Sequence, residues 1–270
     1  FTCTINENLP AVYADKDGNI AYFHGNFLPI RNTKYDFNHP VDGSNPDTDW
    51  KGLHTVEESI HLLNPESGWL YNSNNWPFTA AGPGSSPKKE DYPSYMSVNF
   101  ENPRGEHAVG LYPKINDFTI DSLMEAGYDG LLPSFQRFVP VLKAAYDAAP
   151  DPSLKEAVDM LVAWDKRSSM DSVETSLAHH FGNELFEYVP RGRDLDPFDV
   201  YEYAEKQVNG DEYLAALKAA MDRMVADFGT WKVKWGDMNR FQRNDGSIEQ
   251  TFDDNKPSYP VKLASGRWGA

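Results

Sequence analysis

The sequence predicts an α+β fold in which strands come first, an irregular tract follows, helices fill the middle and strands return at the end. Three observations predict it: short apolar segments flank turn residues at both ends, the composition between residues 29 and 110 is rich in Pro, Gly, Asn and Ser, and helical periodicity begins after residue 117. We expect three regions: a hairpin and an Asn- and aromatic-rich loop region over residues 1–110, a helical region over 111–229, and strands over 230–270.

The first predicted element is a β-hairpin. Residues 9–14 and 20–23 are apolar runs joined by Asp15-Lys-Asp-Gly-Asn19, which is rich in hairpin-turn residues. Helical periodicity then predicts helices over residues 119–128, 131–148, a segment opened by the capping box Ser153-x-x-Glu156, 172–188 and 211–228, the last of them ended by Gly229. Alternation predicts strands at residues 231–236 and 248–252.

Residues 64–77 are the most informative segment of the chain. They place Asn72, Asn74 and Asn75 close together among aromatic and turn residues. An Asn amide donates hydrogen bonds and never titrates, so it can stabilise a developing oxyanion. The alternative is that these asparagines bond their own backbone in a turn, as loop asparagines most often do. The surrounding tract is too long and aromatic for a mere linker, which indicates an ordered wall of a site.

Composition and motif content exclude several classes of function. The net charge of -16, with no basic stripe, argues against a nucleic-acid partner. No segment approaches the roughly 20 consecutive apolar residues of a membrane span. The lone Cys3 excludes an internal disulfide and a cysteine-based zinc site. The sequence also contains no phosphate loop, dinucleotide fingerprint, H-E-x-x-H motif or G-x-S-x-G elbow.

A series of short motifs, all in order, resembles the β-subunit of the penicillin acylase family. They are Asp17-Gly-Asn-Ile-Ala-Tyr22, Arg31, His39-Pro-Val-Asp-Gly43, Asp49-Trp-Lys-Gly-Leu53, Asn64-Pro-x-Ser-Gly-Trp-x-x-Asn-x-Asn-Asn-x-Pro77, Asp117-Phe-Thr-x-Asp-Ser-Leu123, and the run from Trp231 to Arg243. The resemblance covers nearly the whole chain. The sequence of the run from Trp231 to Arg243 is most similar to the acylases that act on acyl-homoserine lactones and lipopeptides, which include the aculeacin-type acylases.

The resemblance implies an internal part of a β-subunit of an N-terminal nucleophile hydrolase. The chain would then be a single incomplete domain, holding part of an αββα core with a helical excursion over about residues 111–229. Family members cut their precursor autocatalytically and use the freed α-amine of a Ser as the base for its own hydroxyl. That Ser is absent from this chain, so we expect this segment alone to be inactive. The implied partners are the remaining β-subunit, an α-subunit and a small acyl-amide substrate, in the periplasm or outside the cell.

The resemblance also assigns candidate site residues. Asn74 matches the asparagine that completes the oxyanion hole, and Arg104 matches the arginine that supports the nucleophile and this asparagine; the alternative for Arg104 is a surface arginine in a loop. Trp69 and Trp76 are candidates for substrate contact. Some relatives bind calcium through an Asp near this motif, where an ungapped match places Met96. No cofactor is therefore expected, although Asp91 or Glu90 could serve as a calcium ligand.

A second hypothesis comes from another class of protein. Aromatic and Asn-rich loops also recognise saccharides and peptides, so the same tract is compatible with a non-catalytic carbohydrate- or peptide-binding module.

Overall fold

A computed structural model describes residues 10–24, 27–97, 100–115, 117–190, 199–243, 246 and 249–269. The chain forms two compact units, Phe1–Ile115 and Asn116–Ala270. Cys3, residue 9 of the first predicted strand and residue 248 of the last one lie outside the described residues. The mixture of helices with small sheets agrees with the predicted α+β class. The finer arrangement, a share of an αββα core, stays a prediction, as does the division at residues 110 and 229.

Unit 1 begins with the predicted hairpin. Strand β1 (Ala11–Ala14) pairs antiparallel with β2 (Ile20–Phe23), which also pairs antiparallel with β3 (His61–Leu63). The Asp15 carboxylate accepts hydrogen bonds from the backbone N–H groups of residues 17 and 19, both at 2.9 Å, and Gly18 adopts a φ of 86°. This local turn chemistry explains why the hairpin could be predicted.

Helix α1 (Pro103–Leu111) closes unit 1 and was not predicted. Its sequence contains Pro103 and two glycines, Gly105 and Gly110, which lower helical propensity. A cap offsets this low propensity at the start of the helix: the side chain of Asn102 accepts a hydrogen bond from the N–H of Gly105 at 3.0 Å. Pro103 occupies the first helical turn, where its missing N–H costs nothing.

Unit 2 is built from helices around one apolar core. The bounds are α2 (Ile120–Gly127), α3 (Pro133–Ala148), α4 (Lys155–Ala163), α5 (Val173–Leu185), α6 (Asp199–Lys206), α7 (Gly210–Phe228) and α8 (Trp235–Met238). Helix α7 packs against both α5 and α3, and α4 packs against α3. Five of these helices were predicted from periodicity; α6 and α8 were not. Gly229 ends α7 in the left-handed conformation, with a φ of 77°, as predicted.

Three local predictions in unit 2 are wrong. The Ser153 capping box does not form, because the N–H and hydroxyl of Ser153 both bond to the Asp151 carboxylate, at 2.8 and 2.7 Å. Residues 231–236 form no strand, because the N–H groups of Trp235 and Gly236 donate to the carbonyls of residues 172 and 170, and α8 begins there. The strands of this region are the short pair β4 (Arg240–Phe241) and β5 (Tyr259–Pro260), and the described residues 249–252 contain none.

Trp268 closes the core of unit 2, although the sequence around it predicts no element. Its side chain is completely buried among aromatic rings that include Phe135 and Phe186, with ring centroids 5.2 and 5.3 Å away. A Cβ atom at Gly182 would lie 2.7 Å from its indole ring, so a glycine makes this close approach possible. None of the described helices combines the length and apolar character needed to cross a bilayer.

Candidate functional site

The asparagine loop, residues 71–79, is held by hydrogen bonds within itself. The Oδ1 atom of Asn72 accepts from the N–H of Asn74 at 3.0 Å, and the Oδ1 atom of Asn75 accepts from the N–H of Ser73 at 3.0 Å. Asn72 and Asn75 therefore do what the turn interpretation expects of loop asparagines. Asn74 differs: it takes a left-handed backbone with a φ of 57°, and its side chain is exposed.

Arg104 lies beside Asn74, although the two residues are 30 positions apart. Its Nη2 atom donates to the Oδ1 atom of Asn74 at 3.2 Å. Arg104 is in the first turn of α1, so it is not a surface arginine in an irregular loop. Because a guanidinium only donates hydrogen bonds, the amide oxygen of Asn74 must face it, and the amide NH₂ group points to the other side as a donor.

A carboxylate lies beneath the asparagine loop. The Oε1 atom of Glu101 accepts from the Nδ2 atom of Asn75 and from the backbone N–H of Asn102, both at 2.9 Å. Its Oε2 atom accepts from the Nε1 atom of Trp76 at 3.1 Å and from the hydroxyl of Thr79 at 2.5 Å. Sequence reasoning missed Glu101, because nothing local marks it among the 41 acidic residues of the chain.

Asn102 joins the start of α1 to the same loop. While its Oδ1 atom caps the helix, its Nδ2 atom donates to the backbone carbonyl of Ser73 at 2.9 Å. The N–H of Trp76 donates to the carbonyl of Phe100 at 3.0 Å. The loop that carries Asn74 and the helix that carries Arg104 are therefore tied together from several sides.

The two candidate tryptophans occupy different environments. The ring of Trp69 lies 6.0 Å from Tyr71 and 5.7 Å from Tyr112, measured between centroids. Trp76 directs its indole N–H to Glu101, and the ammonium group of Lys89 lies 5.5 Å from its ring centroid. Both side chains are half-buried. Trp76 helps to hold the loop; substrate contact by either tryptophan stays a prediction.

Comparison with known proteins identifies the family. The sequence profile described as penicillin amidase matches residues 5–262, which is nearly the whole chain. The chain belongs to the penicillin amidase family. This confirms the resemblance drawn from the ordered motifs. The closer likeness to acyl-homoserine lactone and aculeacin-type acylases stays a prediction.

Individual relatives of this penicillin amidase chain are longer than the chain itself. The penicillin G acylase of Escherichia coli is 40% identical over 162 residues, which cover 57% of this chain and 17% of that protein. The solved structure of a thermostable penicillin G acylase from Alcaligenes faecalis superimposes with a TM-score of 0.59 at 21% identity, covering 94% of this chain and 54% of that one. At that identity the structural likeness shows the fold alone. The carbohydrate- or peptide-binding alternative receives no support from these relatives.

Metal binding by this penicillin amidase chain stays open to test. Glu90 and Asp91 are exposed on a single 3₁₀ turn, Lys89–Asp91. Met96, at the position where the resemblance placed an Asp in some relatives, is buried against Ile60 and Tyr95. Over the part of the chain that the structure describes, no three His, Cys, Asp or Glu side chains gather as a metal site. A calcium ligand at Glu90 or Asp91 stays a prediction.

Burial keeps the phenol of Tyr71, the first residue of the asparagine loop, protonated. Tyr71 is buried, and its hydroxyl lies 2.9 Å from both the Nδ2 atom of Asn75 and the hydroxyl of Thr79. Burial, and then the nearby charge of Glu101, raise the pKa of Tyr71 well above its usual value. Tyr71 is thus a neutral member of the network and holds the loop without acting as a base.

Proposed function

We propose that this chain is part of an amidohydrolase that cleaves acyl amides with a serine nucleophile supplied from outside the chain. The observation that carries the proposal is the pairing of Asn74 with Arg104, within a chain of the penicillin amidase family. The pair fixes one neutral hydrogen-bond donor next to a permanent positive charge. Such a donor is suited to a negative charge that develops on a carbonyl oxygen.

The mechanism we propose is acyl transfer in two steps. The hydroxyl of the external serine attacks the amide carbonyl, and its proton passes to the α-amine of the same serine. The carbonyl oxygen becomes an oxyanion, which accepts hydrogen bonds from the Nδ2 atom of Asn74 and from a backbone N–H outside this chain. Collapse of this intermediate breaks the C–N bond and releases the amine, which takes the proton. Water then hydrolyses the acyl ester and releases the carboxylic acid.

Arg104 supports Asn74 in two ways. Its hydrogen bond to the Oδ1 atom selects one orientation of the amide, so the NH₂ group is already directed when the oxyanion forms. Its positive charge favours a negative charge nearby. Preorganised donors of this kind stabilise the transition state without reorganising during the reaction.

The resemblance supplies the finer parts of the proposal. The substrates would be acyl-homoserine lactones, lipopeptides or penicillin-like side-chain amides, and the enzyme would be periplasmic or secreted. This segment would work only with the remaining β-subunit and an α-subunit, and alone it would be inactive. Calcium, if bound, would be held through Asp91 or Glu90.

The test is the kinetics of the processed full-length enzyme on a panel of these three amide classes. Asn74→Ala is expected to lower kcat by about 10²–10³-fold, because one oxyanion donor is lost. Asn38→Ala, which changes an exposed asparagine far from the loop in sequence, serves as the control and is expected to keep kcat unchanged. If the processed enzyme hydrolyses no amide of the panel, or if Asn74→Ala turns over at the parent rate, the proposal is wrong.

A further inference from the structure

We propose that Glu101 is the positioning residue that keeps Asn74 and Arg104 at hydrogen-bonding distance from each other. This inference rests on the proposed function and deepens it. The four hydrogen bonds of Glu101 go to residues other than Asn74. It acts through the residues on either side of the pair, as its four hydrogen bonds show.

The partners of Glu101 come from the loop and from the helix. On the loop side are Asn75, the residue directly after Asn74, and two further donors, Trp76 and Thr79. On the helix side is the backbone N–H of Asn102, which caps α1 two residues before Arg104. One carboxylate therefore joins the loop to the helix at the positions next to both site residues.

The position of Asn74 depends on its neighbours because it adopts a left-handed backbone conformation in an exposed turn. Asn enters this region more readily than most residues with a side chain, but only a few residues of a chain adopt it and the surrounding contacts hold them there. Asn74 has a φ of 57° and is exposed, so its own side chain is not packed in place. Asn75, by contrast, is 1% exposed and its amide bonds Glu101. The hydrogen bond to Glu101 is thus one residue away from the left-handed position.

The site accepts a carboxylate and little else. All four partners donate to Glu101. An amide at position 101 would turn its NH₂ group toward the N–H of Trp76 in one orientation, and toward the N–H groups of Asn75 and Asn102 in the other. The carboxylate also fills the space next to Gly105. A Cβ atom at that glycine would lie 2.0 Å from the Oε1 atom of Glu101 and 2.8 Å from the Nδ2 atom of Asn75. Only a glycine in the first turn of α1 leaves room for this carboxylate.

The experiment is a double-mutant cycle in the processed full-length enzyme. Glu101→Gln is expected to lower kcat by about 10–10²-fold with KM changed less than about threefold, because misplacement of a catalytic donor affects the transition state more than binding. Combined with Asn74→Ala, it is expected to add less than about threefold, because a residue that acts through Asn74 has nothing left to position. Glu66→Gln changes an exposed carboxylate of the same unit and is expected to match the parent.

Each outcome decides the matter. Parent-like kcat in Glu101→Gln, or a loss that multiplies with that of Asn74→Ala, overturns the positioning role while the oxyanion role of Asn74 stands. A parent-like Asn74→Ala overturns the proposed function itself, and this inference with it. If Glu101→Gln is not processed, Thr79→Val removes one donor to the carboxylate at nearly constant shape. It is expected to lower kcat by about 3–10-fold with the same non-additivity, and an unchanged kcat again overturns the inference.

Discussion

Acid is expected to destabilise unit 2 through one partly buried histidine, His179. Its Nδ1 atom accepts a hydrogen bond from the indole N–H of Trp268 at 3.0 Å, which places the single ring proton on Nε2. Burial first, and then the nearby His180 and Arg267, lower the pKa of His179 to about 4. A second proton on the ring would face the indole N–H and lose this hydrogen bond.

The pKa values of His179 in the unfolded and folded chain set the sign and size of this loss of stability. In the unfolded chain the pKa of His179 is the ordinary 6.5, and in the folded chain it is about 4. As the pH falls, the unfolded chain therefore binds this proton first. The contribution of neutral His179 to stability is complete above the unfolded value, is lost as the pH falls from 6.5 toward 4, and changes no further below that. At about pH 5 the loss amounts to about 2 kcal/mol.

Urea unfolding, followed by far-UV circular dichroism at about pH 7.5 and about pH 5, measures this loss. His179→Gln keeps an acceptor for Trp268 but has no titrating ring, so it is expected to lose about 2 kcal/mol less than the parent over this interval. His24 in unit 1, whose burial also lowers its pKa to about 4, contributes equally in both proteins and cancels. The exposed His39 gives the control, since His39→Gln should retain the parent's acid loss. Equal losses in the parent and His179→Gln would refute the reasoning.

Two further predictions concern packing. Gly105→Ala is expected to lower the free energy of unfolding by about 1–3 kcal/mol, because the added Cβ atom would lie 2.0 Å from the Oε1 atom of Glu101. Gly110→Ala in the same helix is the control: its Cβ atom meets nothing within 4 Å, so the urea midpoint should stay unchanged or rise. Equal effects of the two substitutions would contradict the packing argument. Leu161→Ala removes a fully buried side chain of α4 and is expected to lower the free energy of unfolding in urea by about 2–5 kcal/mol. The neighbouring Val162 is 40% exposed, so Val162→Ala should change that free energy by no more than about 0.5 kcal/mol if burial sets the cost.

Local chemistry explains which elements could be predicted. The hairpin of β1 and β2 depends on five turn residues, and the long helices of unit 2 on a repeat of apolar positions, both visible within short windows of sequence. Helix α1 was missed because Gly105 and Gly110 lower its helical propensity. Asn102 stabilises it by capping its first turn and by a hydrogen bond to Ser73. Tertiary contacts of this kind override propensity.

The residues of the candidate site likewise differ in whether the sequence could predict them. Asn74 and Arg104 were identified by resemblance to a family whose membership is now shown, but the sequence alone could not tell whether they meet. Glu101 gave no signal at all, because a carboxylate held by four donors and an exposed one have the same letter. Trp268 was missed for the same reason: its burial depends on Phe135, Phe186 and Gly182, none of them near it in sequence.

The sequence by itself determined the family, the α+β class, the hairpin and most of the helices, and it made Asn74 the candidate for an oxyanion donor. These depend on residue identity, local periodicity and ordered motifs. Only the tertiary structure decided that Arg104 orients Asn74 across 30 residues, and that Glu101 joins the loop to the helix beneath them. The physical reason is that the worth of a buried polar group is set by the partners around it, and those partners come together only when distant parts of the chain pack.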